Sequence, residues 1–96
     1  MRLSEALARN RIAIRQVVAA HRACNARIFG SALHGLDAAG SDLDILIDTT
    51  SETTLMDVAA IQVALQRLLA ASVDVVTPKA LPDAFREQVL REALPI

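Results

Sequence analysis

Apolar and polar residues follow a helical period at both ends of this chain. Between Leu3 and His21 the apolar residues recur every three or four positions, which predicts an amphipathic helix with its arginines off the apolar stripe. Ile12 falls off that stripe and is expected to be exposed. The same spacing from Asp83 to about Ala93 predicts a last helix. The first stripe consists of Leu3, Ala6, Leu7, Ile14, Val17 and Val18.

A further helix is predicted in the second half of the chain by its start signal. Thr54 and Asp57 have the spacing of a capping box, with Thr54 as the N-cap and Asp57 at the third helical position. The helix is expected to run to about Ala70. Its apolar face is predicted to consist of Leu55, Val58, Ile61, Leu65, Leu68 and Leu69.

Three short apolar runs have the character of strands. The first, residues 26–29, ends at Gly30, and the third, residues 72–76, ends before Pro78. The second run, residues 42–48, alternates between two faces, so that one face is apolar and the other carries acids. The apolar face holds Leu43, Ile45 and Ile47, and the other holds Asp42, Asp44 and Leu46.

The order of the elements predicts the fold class. It reads helix, strand, short helix, strand, helix, strand and helix, with a polar loop at residues 36–40. We therefore expect a single α/β (α+β) domain over residues 1–96, built on a small mixed β-sheet with flanking helices. No apolar run approaches the roughly 18–20 residues of a membrane-spanning helix. The charged N-terminus does not resemble a signal peptide, so a cytoplasmic location is expected.

Cysteine and histidine are too few for a disulfide or a structural zinc site. Cys24 is the only cysteine and is expected to be a small buried residue. His21 and His34 are the only histidines. The only aromatic rings of Phe, Trp or Tyr are Phe29 and Phe85, which argues against a surface that stacks the bases of single-stranded nucleic acid.

Charge is divided unevenly along the chain. Residues 1–27 carry six arginines and one glutamate, a net charge of +5, while residues 28–96 carry four basic and ten acidic side chains, a net charge of −6. No Lys or Arg occurs between Arg27 and Arg67, so the acids in that window have no basic neighbour in sequence. An acidic block of this kind is usually a solvated face. In this chain the spacing of the aspartates indicates more than a solvated face.

Three aspartates have the spacing of a metal site. Asp42 and Asp44 lie on one side of a strand, with Cα atoms about 6.5–7 Å apart. Asp74 interrupts an otherwise apolar strand. If the third strand lies beside the second, Asp74 joins the pair, and three carboxylates suit Mg²⁺. Taken alone, an Asp-x-Asp pair is more often a solvated strand end.

Gly30 and Ser31 strengthen the case for a nucleotide site. A glycine at a strand end lets the backbone approach a ligand closely, and Ser31 can cap the following turn. Free backbone N–H groups at such a turn form a natural phosphate site. These elements follow one another in a specific order, namely a strand, Gly-Ser, a strand bearing Asp-x-Asp, and an aspartate in a later strand.

This order resembles the minimal nucleotidyltransferases of the DNA polymerase β-like superfamily, whose small members serve as antitoxins paired with HEPN-domain ribonuclease toxins. The matching segments are residues 27–31, 40–48 and 73–76, and the likeness extends to residues 90–95. The resemblance implies that Gly30 and Ser31 bind ATP. It also implies that Asp42, Asp44 and Asp74 hold Mg²⁺ and are catalytic.

The resemblance implies a protein adenylyltransferase that moves AMP from ATP to a tyrosine of the cognate HEPN toxin. With 96 residues there is no room for a second domain to hold an acceptor, so the acceptor is expected on another protein. One departure bears on catalysis: His34 stands where the family commonly has an arginine, a permanent cation. Two alternatives remain: an antitoxin that masks its toxin without catalysis, and an RNA-binding module that uses the arginine-rich first helix.

Overall fold

The structure, a computed structural model, describes residues 3–30 and 43–96, and their side chains from Glu5 onward. Ser31, His34, Asp42, the predicted short helix and the predicted loop at residues 36–40 lie outside these ranges. The elements are α1 (Leu3–Arg9), α2 (Arg11–Ala20), β1 (Ala23–Phe29), β2 (Leu43–Thr49), α3 (Leu55–Leu69), β3 (Val73–Val76), a 3₁₀ turn (Pro78–Ala80), α4 (Asp83–Glu92) and β4 (Leu94–Pro95).

The strands form one mixed sheet in the order β3-β2-β1-β4, which confirms the predicted fold class. The β2 and β3 strands are parallel, whereas β1 is antiparallel to both β2 and β4. The two-residue β4 strand was not expected. It forms because the chain becomes extended at Ala93, after α4, and returns to β1, where the Ile96 N–H donates to the Ala26 carbonyl at 2.9 Å. Pro95 has no N–H to donate and sits in this edge strand.

The core lies on the face of the sheet that was predicted to be apolar from the alternation of residues along β2. Leu43, Ile45 and Ile47 are fully buried and pack with α1, α2 and α3 residues in one cluster. Leu46 points to the opposite face, yet it is fully buried too. The 3₁₀ turn contacts β2, and Leu81, directly after it, is also buried. Both faces of β2 are therefore covered along part of its length.

The helices differ from the expected pattern in two places. The first helix is interrupted at Asn10, whose backbone N–H and side-chain amide both donate to the Ala6 carbonyl, at 3.1 and 2.8 Å. In α3 the buried positions recur every four residues from Asp57 to Leu69, so Leu55 and Leu68 flank that row. They are 89% and 36% exposed, and their assignment to the apolar face was wrong.

Ile12 is 70% exposed, as predicted. None of the helices within the described ranges is long and apolar enough to cross a membrane.

Cys24 is exposed, contrary to the expectation of a buried thiol. The β1 strand begins three residues earlier than predicted, and its register with β2 shifts between Cys24 and Arg27. Asn25 takes a positive φ of 55° within this irregularity. The extra residue lets Ala23 and Ala26 both face the core although they are three apart, and it leaves Cys24 outside.

Two arginines of the N-terminal segment pair with carboxylates of the acidic window. Arg22 donates to Asp57 at 2.9 Å, and Arg27 donates to Asp48 at 2.5 Å. Asn25 adds a hydrogen bond to Asp48 at 2.8 Å. These aspartates have no basic neighbour in sequence, but the fold supplies one to each, so they do not form an uncompensated acidic face.

The capping box at the start of α3 is confirmed. The Asp57 N–H donates to Thr54 Oγ1 at 3.1 Å, and the Thr54 N–H donates to Asp57 Oδ2 at 2.9 Å. The hydroxyls of Thr50 and Thr53 both donate to the Arg22 carbonyl. Together with the ion pair between Arg22 and Asp57, these two hydrogen bonds anchor the turn before β1 to the start of α3.

The capping box predicts a pH-dependent contribution to stability. The backbone hydrogen bond from Thr54, assisted by the Arg22 charge, lowers the pKa of Asp57 below its ordinary value of 3.8 despite some desolvation. The stabilisation is therefore present above the unfolded-state pKa and is lost as pH falls through the lower folded-state pKa. In urea unfolding followed by circular dichroism, the stability advantage of wild type over Asp57→Asn should be constant above about pH 5 and shrink below pH 4.

Asp83→Asn is the matched control, because it removes the same charge from the first turn of α4, where the carboxylate is 92% exposed. Its difference from wild type should change less over the same pH range. A constant difference between wild type and Asp57→Asn from pH 3 to 7 would contradict the assignment.

Candidate functional site

The sheet aligns one residue from each of three strands in a single row. Phe29 of β1 lies directly opposite Asp44 of β2, and Asp44 lies directly opposite Asp74 of β3. Residues paired in this way project from the same face, with neighbouring strands about 4.8 Å apart. The parallel pairing of β2 with β3 thus sets two carboxylates side by side, the condition on which the sequence prediction depended.

Gly30 follows Phe29 and lies against Asp44. Its φ is +76°, a conformation that favours glycine. A Cβ built on Gly30 would overlap the Asp44 carboxylate oxygen Oδ2 and lie 3.3 Å from its Cγ. The absence of a side chain at position 30 therefore lets the chain leave β1 in contact with the carboxylate.

Of the five predicted site residues, the structure brings three together: Gly30, Asp44 and Asp74. The other two, Ser31 and Asp42, are outside the described residues. Asp44 is half-buried and Asp74 is exposed.

The chemistry of this pair fits Mg²⁺. Carboxylate oxygens are the ligands that hard divalent cations prefer, and Asp44 and Asp74 offer them from neighbouring strands. Within residues 3–30 and 43–96, no group of three or more His, Cys, Asp or Glu side chains could hold a metal ion. A third protein carboxylate would come from Asp42, as the sequence predicts.

The other acids near the sheet have structural partners. Asp48 lies on the same strand as Asp44, four residues away, or about 13 Å along the strand. It is bound by Arg27, whose side chain is only 12% exposed. Asp57 caps α3 and binds Arg22. Asp44 and Asp74 lie toward the opposite end of the same sheet face from Asp48.

A groove of about 410 Å³ adjoins this row and was not predicted from the sequence. Phe29 and Gly30 line one side, and α4 lines the other through Phe85, Gln88, Val89 and Glu92. Phe85 and Val89 are two of the residues whose helical spacing predicts the last helix, and that spacing did not indicate a groove. The available signal was the aromatic count, because the only two Phe, Trp or Tyr rings of the chain both lie here.

Comparison with known proteins identifies the class. The family described as "Polymerase beta, Nucleotidyltransferase" matches residues 13–96. The chain therefore belongs to the polymerase β-like nucleotidyltransferase family.

A solved structure described as a minimal nucleotidyltransferase is 42% identical and superimposes with a TM-score of 0.89, over 100% of this chain and 97% of that one. The likeness to minimal nucleotidyltransferases inferred from the motifs is thus confirmed.

More distant similarities are found in sequence and in structure. MJ0435 of Methanocaldococcus jannaschii, which is named for an inferred protein adenylyltransferase activity, is 29% identical over 79% of this chain and 82% of its own. A toxin–antitoxin crystal structure with AMP-PNP aligns at 19% identity with a TM-score of 0.74, over 90% of this chain and 71% of that chain. A mutant MntA-HpeT toxin–antitoxin structure aligns at 16% identity with a TM-score of 0.69, over 90% and 69%.

The contact between Gly30 and Asp44 predicts a specific energetic coupling. Gly30→Ala should destabilise the protein by the cost of a positive φ, about 1–2 kcal/mol, plus the overlap with Asp44. In an Asp44→Ala background the overlap is removed and only the φ cost remains. Urea unfolding of the four proteins should therefore give a coupling energy of about 0.5–3 kcal/mol. Strictly additive effects would show that the two residues do not touch.

Proposed function

We propose that this chain is a Mg²⁺-dependent nucleotidyltransferase that moves AMP from ATP to a tyrosine of a HEPN-type toxin, and so acts as an antitoxin. The observation that carries the proposal is the register of Asp44 against Asp74 beside Gly30, in a chain of the nucleotidyltransferase family. The activity assigned is protein adenylyltransfer, with ATP as substrate.

For Gly30, Asp44 and Asp74 the proposed roles rest on their positions in the sheet. For Ser31 and Asp42 they rest on the resemblance in sequence. Gly30 and Ser31 bind the triphosphate, and Asp42, Asp44 and Asp74 hold Mg²⁺. When bound, the metal offsets the negative charge of the triphosphate and of the departing pyrophosphate. Through the cation that they would hold, the aspartates would orient the nucleotide with its α-phosphorus toward the acceptor, and positioning of this kind supplies much of the catalysis in phosphoryl transfer.

The transfer step forms one bond and breaks one. The acceptor oxygen bonds to the α-phosphorus of ATP, and the bond from that phosphorus to the bridging oxygen of the β-phosphate breaks. Pyrophosphate leaves with the electron pair of that bond. Asp74, exposed on β3 at one end of the row, accepts the proton of the acceptor hydroxyl and passes it to solvent.

A protein acceptor is supported by two observations. Asp74 is exposed, so an acceptor carried on another protein can reach it. Structures of the same fold include a toxin–antitoxin with AMP-PNP, and a relative by sequence is named for protein adenylyltransfer. These 96 residues contain no tyrosine, so none of them could carry an AMP–tyrosine product.

The RNA-binding alternative is less well supported than transfer. Arg22 and Arg27 bind carboxylates, and the Arg15 Nε donates to the Ile96 carbonyl at 2.7 Å. Of the five N-terminal arginines whose side chains the structure describes, three therefore already have protein partners. The masking alternative differs from transfer in stoichiometry and is tested below.

Nucleotide binding should require both metal and carboxylates. In calorimetry, wild type should bind ATP in the presence of Mg²⁺ and lose that binding in EDTA. Asp44→Ala and Asp74→Ala should each weaken binding at least about tenfold, equivalent to 1.4 kcal/mol, since each removes a charged ligand. Glu87→Gln, an exposed charge change on α4, is the control and should bind as wild type does. Equal affinity with and without Mg²⁺ would contradict the proposal.

Transfer and masking predict different stoichiometries with the toxin. Under transfer, a small molar fraction of this chain should inactivate an excess of toxin when ATP and Mg²⁺ are present, and mass spectrometry should find AMP on a toxin tyrosine. Asp74→Asn keeps the size of the side chain and removes its charge. It should slow transfer by at least about a hundredfold, the low end for loss of a general base.

The control for this experiment is folding and complex formation. Asp74→Asn should retain the wild-type melting temperature because Asp74 is exposed. It should still bind the toxin because the substitution keeps the size of the side chain. Protection that needs equimolar chain and persists both without ATP and in Asp74→Asn would replace the transferase with the masking antitoxin.

A further inference from the structure

We propose that the groove between the end of β1 and α4 binds the nucleobase of the substrate nucleotide, a purine carrying an amino group. This inference rests on the proposed function and adds a base-binding site to it. The groove has a volume of about 410 Å³, within the range of roughly 300–1,000 Å³ typical of small-molecule sites.

The position of the groove relative to the carboxylates assigns its occupant. In the row Phe29–Asp44–Asp74, Phe29 and Asp74 lie on opposite sides of Asp44. Phe29 and Asp74 are two strand spacings, or about 10 Å, apart. Asp74 serves the acceptor in the proposed reaction. The opposite side of Asp44, where the groove lies, is therefore the side of the nucleoside.

Gly30 connects the groove to the triphosphate site. It lines the groove and also lies against the Asp44 carboxylate. A nucleotide whose phosphates lie at Gly30 and Asp44 can therefore place its base between Phe29 and α4. An acceptor tyrosine in the same groove would lie on the far side of Asp44 from the residue that takes its proton.

The lining of the groove suits a planar heterocycle. Phe29 and Phe85 are the only two rings of Phe, Trp or Tyr in the chain, and Phe85 is 49% exposed on a helix with no buried residue. Such a ring offers a stacking surface for a base.

The rim of the groove is polar. The Gln88 amide donates to the Glu92 carboxylate at 3.4 Å, so the two side chains lie together. Glu92 can accept a hydrogen bond from an exocyclic amino group, and Gln88 can donate to or accept from a ring nitrogen. These groups distinguish the rim from a purely apolar helix-packing surface.

The decisive comparison is between ATP and inorganic tripolyphosphate, each with Mg²⁺. Tripolyphosphate carries the phosphates without a base, so it occupies Gly30 and the carboxylates alone. Phe85→Ala should weaken ATP binding roughly tenfold in calorimetry, because one stacking surface is lost, and leave tripolyphosphate binding unchanged. Leu90→Ala, a 40% exposed apolar residue of α4 that does not line the groove, should change neither.

A second measurement uses the wild-type protein and therefore does not depend on correct folding of the Phe85→Ala variant. With two phenylalanines and no other Phe, Trp or Tyr ring, proton NMR can assign both rings. In wild type, the adenine H2 and H8 protons of bound ATP should show nuclear Overhauser effects to them. Gln88→Ala, at an exposed position, should weaken ATP binding several-fold without lowering the melting temperature.

The outcomes separate the two proposals. If Phe85→Ala binds ATP as wild type does and no ring contacts are seen, the base site is wrong while nucleotide binding stands. An effect of Phe85→Ala only on the KM for the toxin would assign the groove to the acceptor and overturn the inference. If wild type binds neither ATP nor tripolyphosphate, the proposed function and the base site both fail.

Discussion

The register of β2 between its two neighbours is the constraint on which the rest of the molecule depends. Because side chains alternate along a strand, burying Leu43, Ile45 and Ile47 forces Asp44 and Asp48 to the opposite face. A slip of one residue would bury the aspartates and expose the core. The free energy of core burial thus fixes the face of the sheet from which these carboxylates project.

The charge asymmetry of the chain is resolved within the fold. Arg22 and Arg27 cross from the N-terminal segment to bind Asp57 and Asp48, partners 35 and 21 residues away in sequence. These ion pairs hold the turn before β1 and the end of β2 in place. The acids that lie opposite each other at the other end of the sheet face are Asp44 and Asp74. Position in the sheet therefore divides the carboxylates into structural and candidate functional sets.

Features set by local chemistry were predictable from the sequence. The alternation of β2 and the capping box of α3 follow from residue spacing. The placement of Asp74 beside Asp44 was conditional on β3 lying next to β2, and the parallel pairing meets that condition. The bulge that exposes Cys24, the break at Asn10 and the short β4 strand depend on local hydrogen bonds or pairings between distant segments. The groove was not predicted because Phe29 and α4 are far apart in sequence and approach each other only in the folded structure. The periodicity of α4 by itself predicts only that one face of the helix packs against the protein.

The irregularity in β1 gives the molecule a unique chemical handle. It leaves the only thiol of the chain, Cys24, exposed opposite Asp48, about 13 Å along the sheet from Asp44. A spin label or fluorophore attached there would be linked to one defined residue outside the groove and beyond direct contact with Asp44 and Asp74. The wild-type sequence therefore allows distances from this sheet to a bound protein to be measured without introducing or removing a cysteine.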